Sequence, residues 1–394
     1  MSKVLPEIPL AEIAKPILRS VEVIPGKSYR TIGVKWWGEG AYERQTIDGS
    51  GTAAKSLSLV RQGDLIINKI WVRHGSTAIA GADVDGCAAS GEFPTFTLDE
   101  SRVAPRWLHW QTKTKGFWAK CDALSQGTSG KNRIKPELFL TVRVPLPPLA
   151  DQRRVVGRIE ALAAQIHEAR TLRHQAAEEA DALTKSTLNQ ELTAAAKKFG
   201  VQPMGAVAKC AAGFGFPKQH QGRTGLKYPF AKVSDMNLPE NQRAITTAQN
   251  WVGDDDVREM RLKIYPVGTI IFPKIGGAIA TNKRRVLSLP ATFDNNVMGL
   301  IPSEKLSSEY LFAFMQSFDL TELQADTSVP AISQGKVEAM GIPVPPLAEQ
   351  RRIVAELDAL QAEVDALKRL QAETTAELDA LLPAILNRAF KGEL

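Results

Sequence analysis

The chain has 394 residues, 44% of them hydrophobic and 23% charged, with a net charge of +6. That length allows two or three domains, each able to bury its own core. It holds no run of about 18 apolar residues, so no membrane span is expected, and its first residues lack the apolar centre of a signal peptide. Cys87, Cys121 and Cys210 are too few and too scattered for a disulfide framework or a zinc site, which points to a reducing, cytoplasmic setting. The positive balance suits a polyanionic partner such as nucleic acid.

Taken in chain order, Pro9-Leu10-Ala11-Glu12-Ile13-Ala14-Lys15 comes first, and a similar stretch returns at Pro203–Lys209. Lys35-Trp36-Trp37 sits beside Gly38 and Gly40, with Arg44-Gln45 close behind. Gly63–Ile70 reads as a turn and a short buried strand, followed by Arg73 and His74. Trp107-Leu108 opens an apolar stretch of helical pattern, and Ser129-Gly130-Lys131-Asn132-Arg133 is a basic cluster. Next comes Pro145-Leu146-Pro147-Pro148-Leu149-Ala150-Asp151-Gln152-Arg153-Arg154-Val155-Val156, which returns 198 residues later as Pro343–Val354. Between 145–162 and 343–360, eleven of eighteen positions are identical. Gly268–Ile275, Ala278-Ile279-Ala280 and Tyr310-Leu311 repeat earlier landmarks in the same order. A period this long is no solenoid repeat. It describes a pseudo-two-fold chain of two related α+β units, each followed by a long helix.

The expected fold class is therefore α+β, with units at 1–144 and 201–342 and helical segments at 145–200 and 343–394. The segments should pack as an antiparallel coiled coil, because a strict 3.5-residue apolar repeat demands a partner helix. Its seam is Ile159, Leu162, Ile166 and Leu183 on the first segment, and Leu357, Leu360, Val364, Leu367, Leu378 and Leu381 on the second. Arg173 and Gln371 are the polar exceptions at matching places. A helix over 149–198 would span about 75 Å at ~1.5 Å per residue. Pro383 should kink or restart the second helix.

Catalytic signatures are not found: no G-x-G-x-x-G, Walker A loop, G-x-S-x-G, H-E-x-x-H or C-x-x-C. The Asn/Asp-Pro-Pro-Tyr/Phe signature of amino-methyltransferases is missing too, both Pro-Pro pairs being followed by leucine. No catalytic, cofactor-binding or metal-binding residue is assigned. Basic and amide-bearing clusters flanked by glycine recur in both units, the combination that contacts phosphates and base edges. The candidates in the first unit are Lys35, Arg44, Lys69, Arg73, Lys131 and Arg133. In the second they are Lys218, Gln219, Arg223, Lys274, Asn282, Lys283, Arg284, Asn295 and Asn296. Arg73, Gln219, Arg223, Asn282 and Asn296 are the preferred base readers, since Arg pairs with guanine and Asn or Gln with adenine. A coiled-coil adaptor that binds protein explains the heptads but not these recurring basic turns.

The doubled P-x-P-P-L-A-D/E-Q-R-R-V/I-V followed by heptads resembles the conserved regions of DNA-specificity subunits of type I restriction–modification systems. The ending Leu386-Asn387-Arg388-Ala389-Phe390-Lys391-Gly392-Glu393-Leu394 is similar to that family's C-terminus. Gly276–Lys283, Asp294-Asn295-Asn296-Val297-Met298-Gly299 and Ser90-Gly91-Glu92-Phe93-Pro94 resemble its target-recognition domains. The resemblance implies that two recognition domains each read half of a split site in double-stranded DNA, with the helices as a ruler. It implies docking of two methyltransferase subunits and of restriction (translocase) subunits. S-adenosylmethionine, ATP and Mg2+ would belong to those partners, leaving this chain non-catalytic. The differing readers of the two units imply an asymmetric target.

Overall fold

A computed structural model describes residues 5–127, 132–325 and 329–394. The helices, in chain order, are α1 (Pro105–Gln111), α2 (Lys115–Ala123), α3 (Pro136–Phe139), α4 (Leu149–Phe199), α5 (Asp254–Glu259), α6 (Ser308–Gln316), α7 (Gln334–Ala339), α8 (Leu347–Glu373) and α9 (Thr375–Phe390). Two compact units emerge, Met1–Arg173 with Gln371–Leu394, and His174–Leu370. Each thus combines one globular stretch with a pair of helical arms. Among the described residues no helix is long and apolar enough to cross a membrane.

In unit 1, strands Ala14–Ile17, Thr95–Leu98, Leu65–Ile67 and Thr77–Ile79 form one sheet in that spatial order. A second sheet of five strands carries the hairpin Ser28–Val34/Ala41–Asp48. In unit 2, a five-stranded sheet centres on Ile270–Pro273 and Val297–Pro302, paired antiparallel. The Gly63–Ile70 and Gly268–Ile275 stretches thus each place a buried strand inside the principal sheet, as their short β-branched runs predict.

The doubled motif has one structural job, done twice. Gln152 and Gln350 are both fully buried. The Gln152 side chain accepts from the Ala104 amide at 2.9 Å and donates to the carbonyls of Arg102 and Pro147 at 2.9 and 2.8 Å. Gln350 accepts from the Ser307 amide and donates to Lys305 and Pro345, each at 2.8 Å. Each glutamine therefore fastens the start of a long helix to the loop that enters α1 or α6. Beside it, the Trp107 indole N–H donates to the Pro145 carbonyl at 2.9 Å, and the Tyr310 hydroxyl to the Pro343 carbonyl at 3.1 Å. A buried amide with all its bonds made specifies one geometry, which an apolar residue could not.

Within each unit the arms run antiparallel. In unit 1, Val155, Val156 and Ile159 of α4 share a core with Trp107, Leu386 and Ala389, and Arg170 pairs with Asp379 at 2.6 Å. In unit 2, Leu188, Leu192 and Ala195 pack in one cluster with Ile353, Leu357 and Tyr310, and Lys368 meets Asp181 at 2.6 Å.

Of the predicted seam, Ile159, Ile166, Leu357 and Val364 are buried and Leu162, Leu360, Leu367 and Leu378 half-buried. Leu183 and Leu381 depart from it, at 54% and 46% exposed. An unbroken α-helix drifts by about 20° per heptad against a 3.5-residue repeat. By the end of α4 the inward positions have moved on to Leu188, Leu192 and Ala195. On the other arm the helix does not restart at Pro383, since α9 runs through it. The break falls at Thr374, where the Arg173 guanidinium of the facing arm donates to both the Gln371 carbonyl and the Thr374 hydroxyl. The helix that restarts beyond it turns Leu386 and Ala389 inward.

Candidate nucleic-acid interface

In unit 1 the candidates gather around two turns. Strand Leu65–Ile67 ends at Asn68, whose side chain accepts the amides of Ile70 and Trp71 at 2.9 and 3.2 Å and folds the chain into the turn Val72–His74. That geometry half-buries Lys69 and Arg73. The Lys69 amide donates to the Glu92 carbonyl at 3.0 Å, and its carbonyl accepts from Ile134 at 2.9 Å. Arg133 then reaches the Glu92 carboxylate at 3.2 Å, so Lys69, Arg133 and the Ser90–Glu92 loop lie together. Lys35 is exposed on the turn that ends strand Ser28–Val34, with its ammonium 5.9 Å from the Tyr42 ring. Arg44 is the extra residue of a β-bulge: Thr31 faces Gln45, Ile32 faces Glu43, and Arg44 falls between them. Bulges re-aim a side chain away from the ladder. Lys131 lies outside the described residues.

In unit 2 the structure divides the candidates. Lys274 follows the buried strand Ile270–Pro273, and its amide donates to the Asn296 carbonyl at 2.8 Å. Asn295 and Asn296 are exposed at that turn, where Asn296 donates from its amide to buried Asp294 at 3.2 Å. Burial pushes the Asp294 carboxyl above its ordinary range. Lys218 and Gln219 are exposed on a single 3-10 turn.

Three candidates, the preferred readers Asn282 and Arg223 together with Arg284, turn out to hold the fold itself. Asn282 adopts the left-handed conformation at φ 56°. Its amide donates to Asp319 at 2.6 Å and its oxygen accepts from the Leu320 amide at 2.8 Å. Arg284 is buried, donating to the Asn282 carbonyl at 2.7 Å and the Phe318 carbonyl at 2.6 Å, and burial pulls its guanidinium down to about 10. Arg223 pairs at 2.5 Å with buried Asp256, which also lies 3.2 Å from His220. These groups hold turns closed and satisfy buried Asp256 and the buried Leu320 amide, bonds that drawing them to a base edge would cost. Lys283, beside them in sequence, remains near the surface and contacts Asn237.

The residues that sequence reasoning missed are Lys232, Trp71, Lys113 and Trp118. Lys232 lies 5.2 Å over the Phe216 ring, among the charges that surround Asp294. It directly follows a buried strand, Tyr228–Ala231, as Lys274 follows Ile270–Pro273. That shared pattern was the available signal.

Residues 197–376 match the family described as type I restriction modification DNA specificity domain. The StySPI type I restriction enzyme specificity subunit of Salmonella potsdam is 21% identical over 327 residues, which cover 77% of this chain and 68% of that one. The EcoDI specificity subunit of Escherichia coli is 27% identical over 184 residues, 43% of this chain and 39% of its own length. The EcoKI specificity subunit of Escherichia coli K12 is 21% identical, covering 72% of this chain and 64% of its own. The HsdS subunit from Thermoanaerobacter tengcongensis aligns over 99% of this chain and 97% of its own, with a TM-score of 0.64 at 24% identity. A chain from a structural study of complex assembly in the type I R-M system aligns over 99% and 98%, with a TM-score of 0.72 at 24% identity. At such identity the structural likeness speaks for the fold.

Proposed function

From the membership of this chain in the family of type I restriction–modification DNA-specificity subunits, we propose that it reads a split, asymmetric site in duplex DNA. Recognition domains at 1–144 and 201–342 each take one half, and the helical regions 145–200 and 343–394 set the gap. One observation carries this reading. The framework around Gln152 and Gln350 is the same, bond for bond, while the surface turns built on it differ: Ser90-Gly91-Glu92 with Arg133 in one unit, Asp294-Asn295-Asn296 with Lys274 in the other. A shared frame with divergent polar turns suits two separate specificities. Lys35, Arg44, Lys69, Arg73 and Arg133 serve the first half-site; Lys218, Gln219, Lys274, Lys283, Asn295 and Asn296 serve the second.

Two methyltransferase subunits dock on the arms. Unit 1 exposes Leu172 and Leu381, and unit 2 exposes their repeat equivalents Leu370 and Leu183. Exposed leucines recurring at equivalent places suit two copies of one partner. Catalysis, S-adenosylmethionine, ATP and Mg2+ belong to the partner subunits in this reading. The test is co-expression with the methyltransferase subunit from the same genome, with methylated bases mapped by long-read sequencing. Methylated adenines in one split, asymmetric motif, absent without this chain, are expected. A stable complex with no new methylation would overturn the proposal. Exchanging residues 203–340 for another member's unit should change one half-site and leave the other.

A further inference from the structure

The turn Lys35–Gly40 of unit 1 carries two indoles into solvent: Trp36 is 44% exposed and Trp37 53%. Side chains this large and apolar are normally covered. Looseness does not explain them, because the turn is tied down. The Lys35 amide donates to the Gly40 carbonyl at 2.9 Å, and the Gly38 amide to the Gly75 carbonyl at 2.8 Å. A Cβ on Gly38, at φ +70°, would lie 2.6 Å from the Lys113 side chain. The Trp36 ring leans on Trp71 at 4.9 Å and on His74 at 5.7 Å. Trp37 stands edge-on to Trp36 at 6.1 Å and against Trp118 at 5.5 Å. Its backbone is held at φ 59°, a costly conformation for a bulky residue. The corner is therefore preset, with little side-chain freedom left to lose on binding.

Its surroundings are basic. Lys35, Arg73 and His74 belong to the same two turns, and Lys113 packs against Gly38. Of the nearby carboxylates, Glu43 is paired with Arg30 at 2.7 Å, while Glu39 is exposed within the turn itself. Among the described residues the indole N–H groups of exposed Trp36 and Trp37 donate to no protein group; those of Trp107, Trp118 and Trp251 each donate to a carbonyl, and that of Trp110 lacks a partner but is buried. The exposed corner thus offers an N–H donor beside an apolar edge. In the major groove, thymine is the base whose edge sets an acceptor, O4, beside an apolar group, the C5 methyl.

We propose that the Trp36–Trp37 corner reads a thymine in the half-site taken by unit 1. This rests on the DNA-reading function above. Unit 2 has a single tryptophan, Trp251, whose N–H is bonded to Ala248, so the thymine reading belongs to one half-site only.

The experiment selects duplexes with randomised half-sites on the full chain in complex with its methyltransferase subunits. The wild type is compared with Trp37→Phe, which keeps a ring against Trp118 but removes the N–H, and with the double variant Trp36→Ala/Trp37→Ala. The wild type should select a thymine in one half-site, and deoxyuridine there should weaken binding about fourfold, the worth of one buried methyl. The double variant should bind about tenfold more weakly or worse, no longer distinguish thymine from uracil, and keep its salt dependence. Trp37→Phe should fall between. An unchanged preference at the other half-site shows that the chain is folded. The inference fails if the double variant retains the thymine preference. It fails equally if the variant loses its methyltransferase partner but reads the same bases, since the corner would then be a protein-binding surface. A wild-type complex with no base preference in either half would overturn the function itself, and this inference with it.

Discussion

Replacing Gln350 with leucine should loosen unit 2 at one place and leave unit 1 alone. The change keeps most of the volume but removes three hydrogen bonds, to the Ser307 amide and to the carbonyls of Lys305 and Pro345. Pro345 is buried, so its carbonyl loses its side-chain partner where water does not readily replace it, a cost of about 2 kcal/mol. Lys305 is exposed and Ser307 half-buried, so water can reach those two groups and each loss is about 0.5 kcal/mol. The expected cost is roughly 3 kcal/mol, more than a hundredfold in the opening equilibrium of that junction. Hydrogen exchange read by mass spectrometry locates it: amides at the start of α6 should exchange about a hundred times faster, while those at Ala104–Leu108 stay as in the wild type. Gln152→Leu should produce the mirror pattern. If α6 exchanges within threefold of the wild type, the buried amide is not the clamp and the doubled motif needs another explanation.

Other outcomes follow from how the basic residues are used. Lys274→Ala and Lys232→Ala should leave thermal stability unchanged but lower the slope of log affinity against log salt, by about 0.9 for each phosphate no longer neutralised. Arg284→Ala should do the reverse, lowering the melting temperature with little change in that slope. For Asp256, the hydrogen bond from Arg223 holds the carboxyl below its ordinary value of 3.8. A depressed carboxyl contributes stability above that value and loses it as pH falls through the folded value. Arg223→Ala should therefore be less stable than the wild type at pH 7, with the two converging below about pH 4. A gap that stays constant in thermal scans from pH 7 to pH 2.5 would show that the ion pair is not its source.

The frame was legible because it rests on local pattern: the 198-residue repeat, the heptads, and glycine-bounded β-branched strands. Its limits were geometric. A heptad register runs on through Leu183 and Leu381 only if the helices supercoil without drift or interruption, and nothing in the spacing announces that Arg173 takes the Gln371 carbonyl of the facing arm. The basic clusters were found, but sequence does not separate a cation aimed at solvent from one that holds a turn closed. Asn282 and Arg284 differ from Lys283 only in what lies opposite them, which is Asp319 and the Phe318 carbonyl, more than thirty residues away. Trp36 and Trp37 were visible as a pair. Their platform was not, since Trp71 and Trp118 join it from distant parts of the chain.

The polar break in the seam supports a last prediction. Arg173 and Gln371 stand 198 residues apart, the repeat spacing itself, and they meet: Gln371 donates to the Arg173 carbonyl at 3.2 Å, and Arg173 donates to the Gln371 carbonyl and to Thr374 at 2.7 Å. In an antiparallel pair of repeated helices, equivalent positions face each other only at the centre of the register. Slipping one helix by a heptad would set each of these polar groups against an apolar neighbour and leave its bonds unmade, so the pair fixes register at some cost in stability. Leucine at both positions should remove that penalty for slipped pairings while leaving the α-helical content unchanged. Cysteines replacing Arg170 and Asp379, which pair at 2.6 Å, report the register through a short thiol cross-linker. Cross-linking should be nearly complete in the native background and fall clearly in the Arg173→Leu/Gln371→Leu background. Equal yields would mean that the apolar seam alone sets the register, and that the two polar residues serve only to break the helix at Thr374.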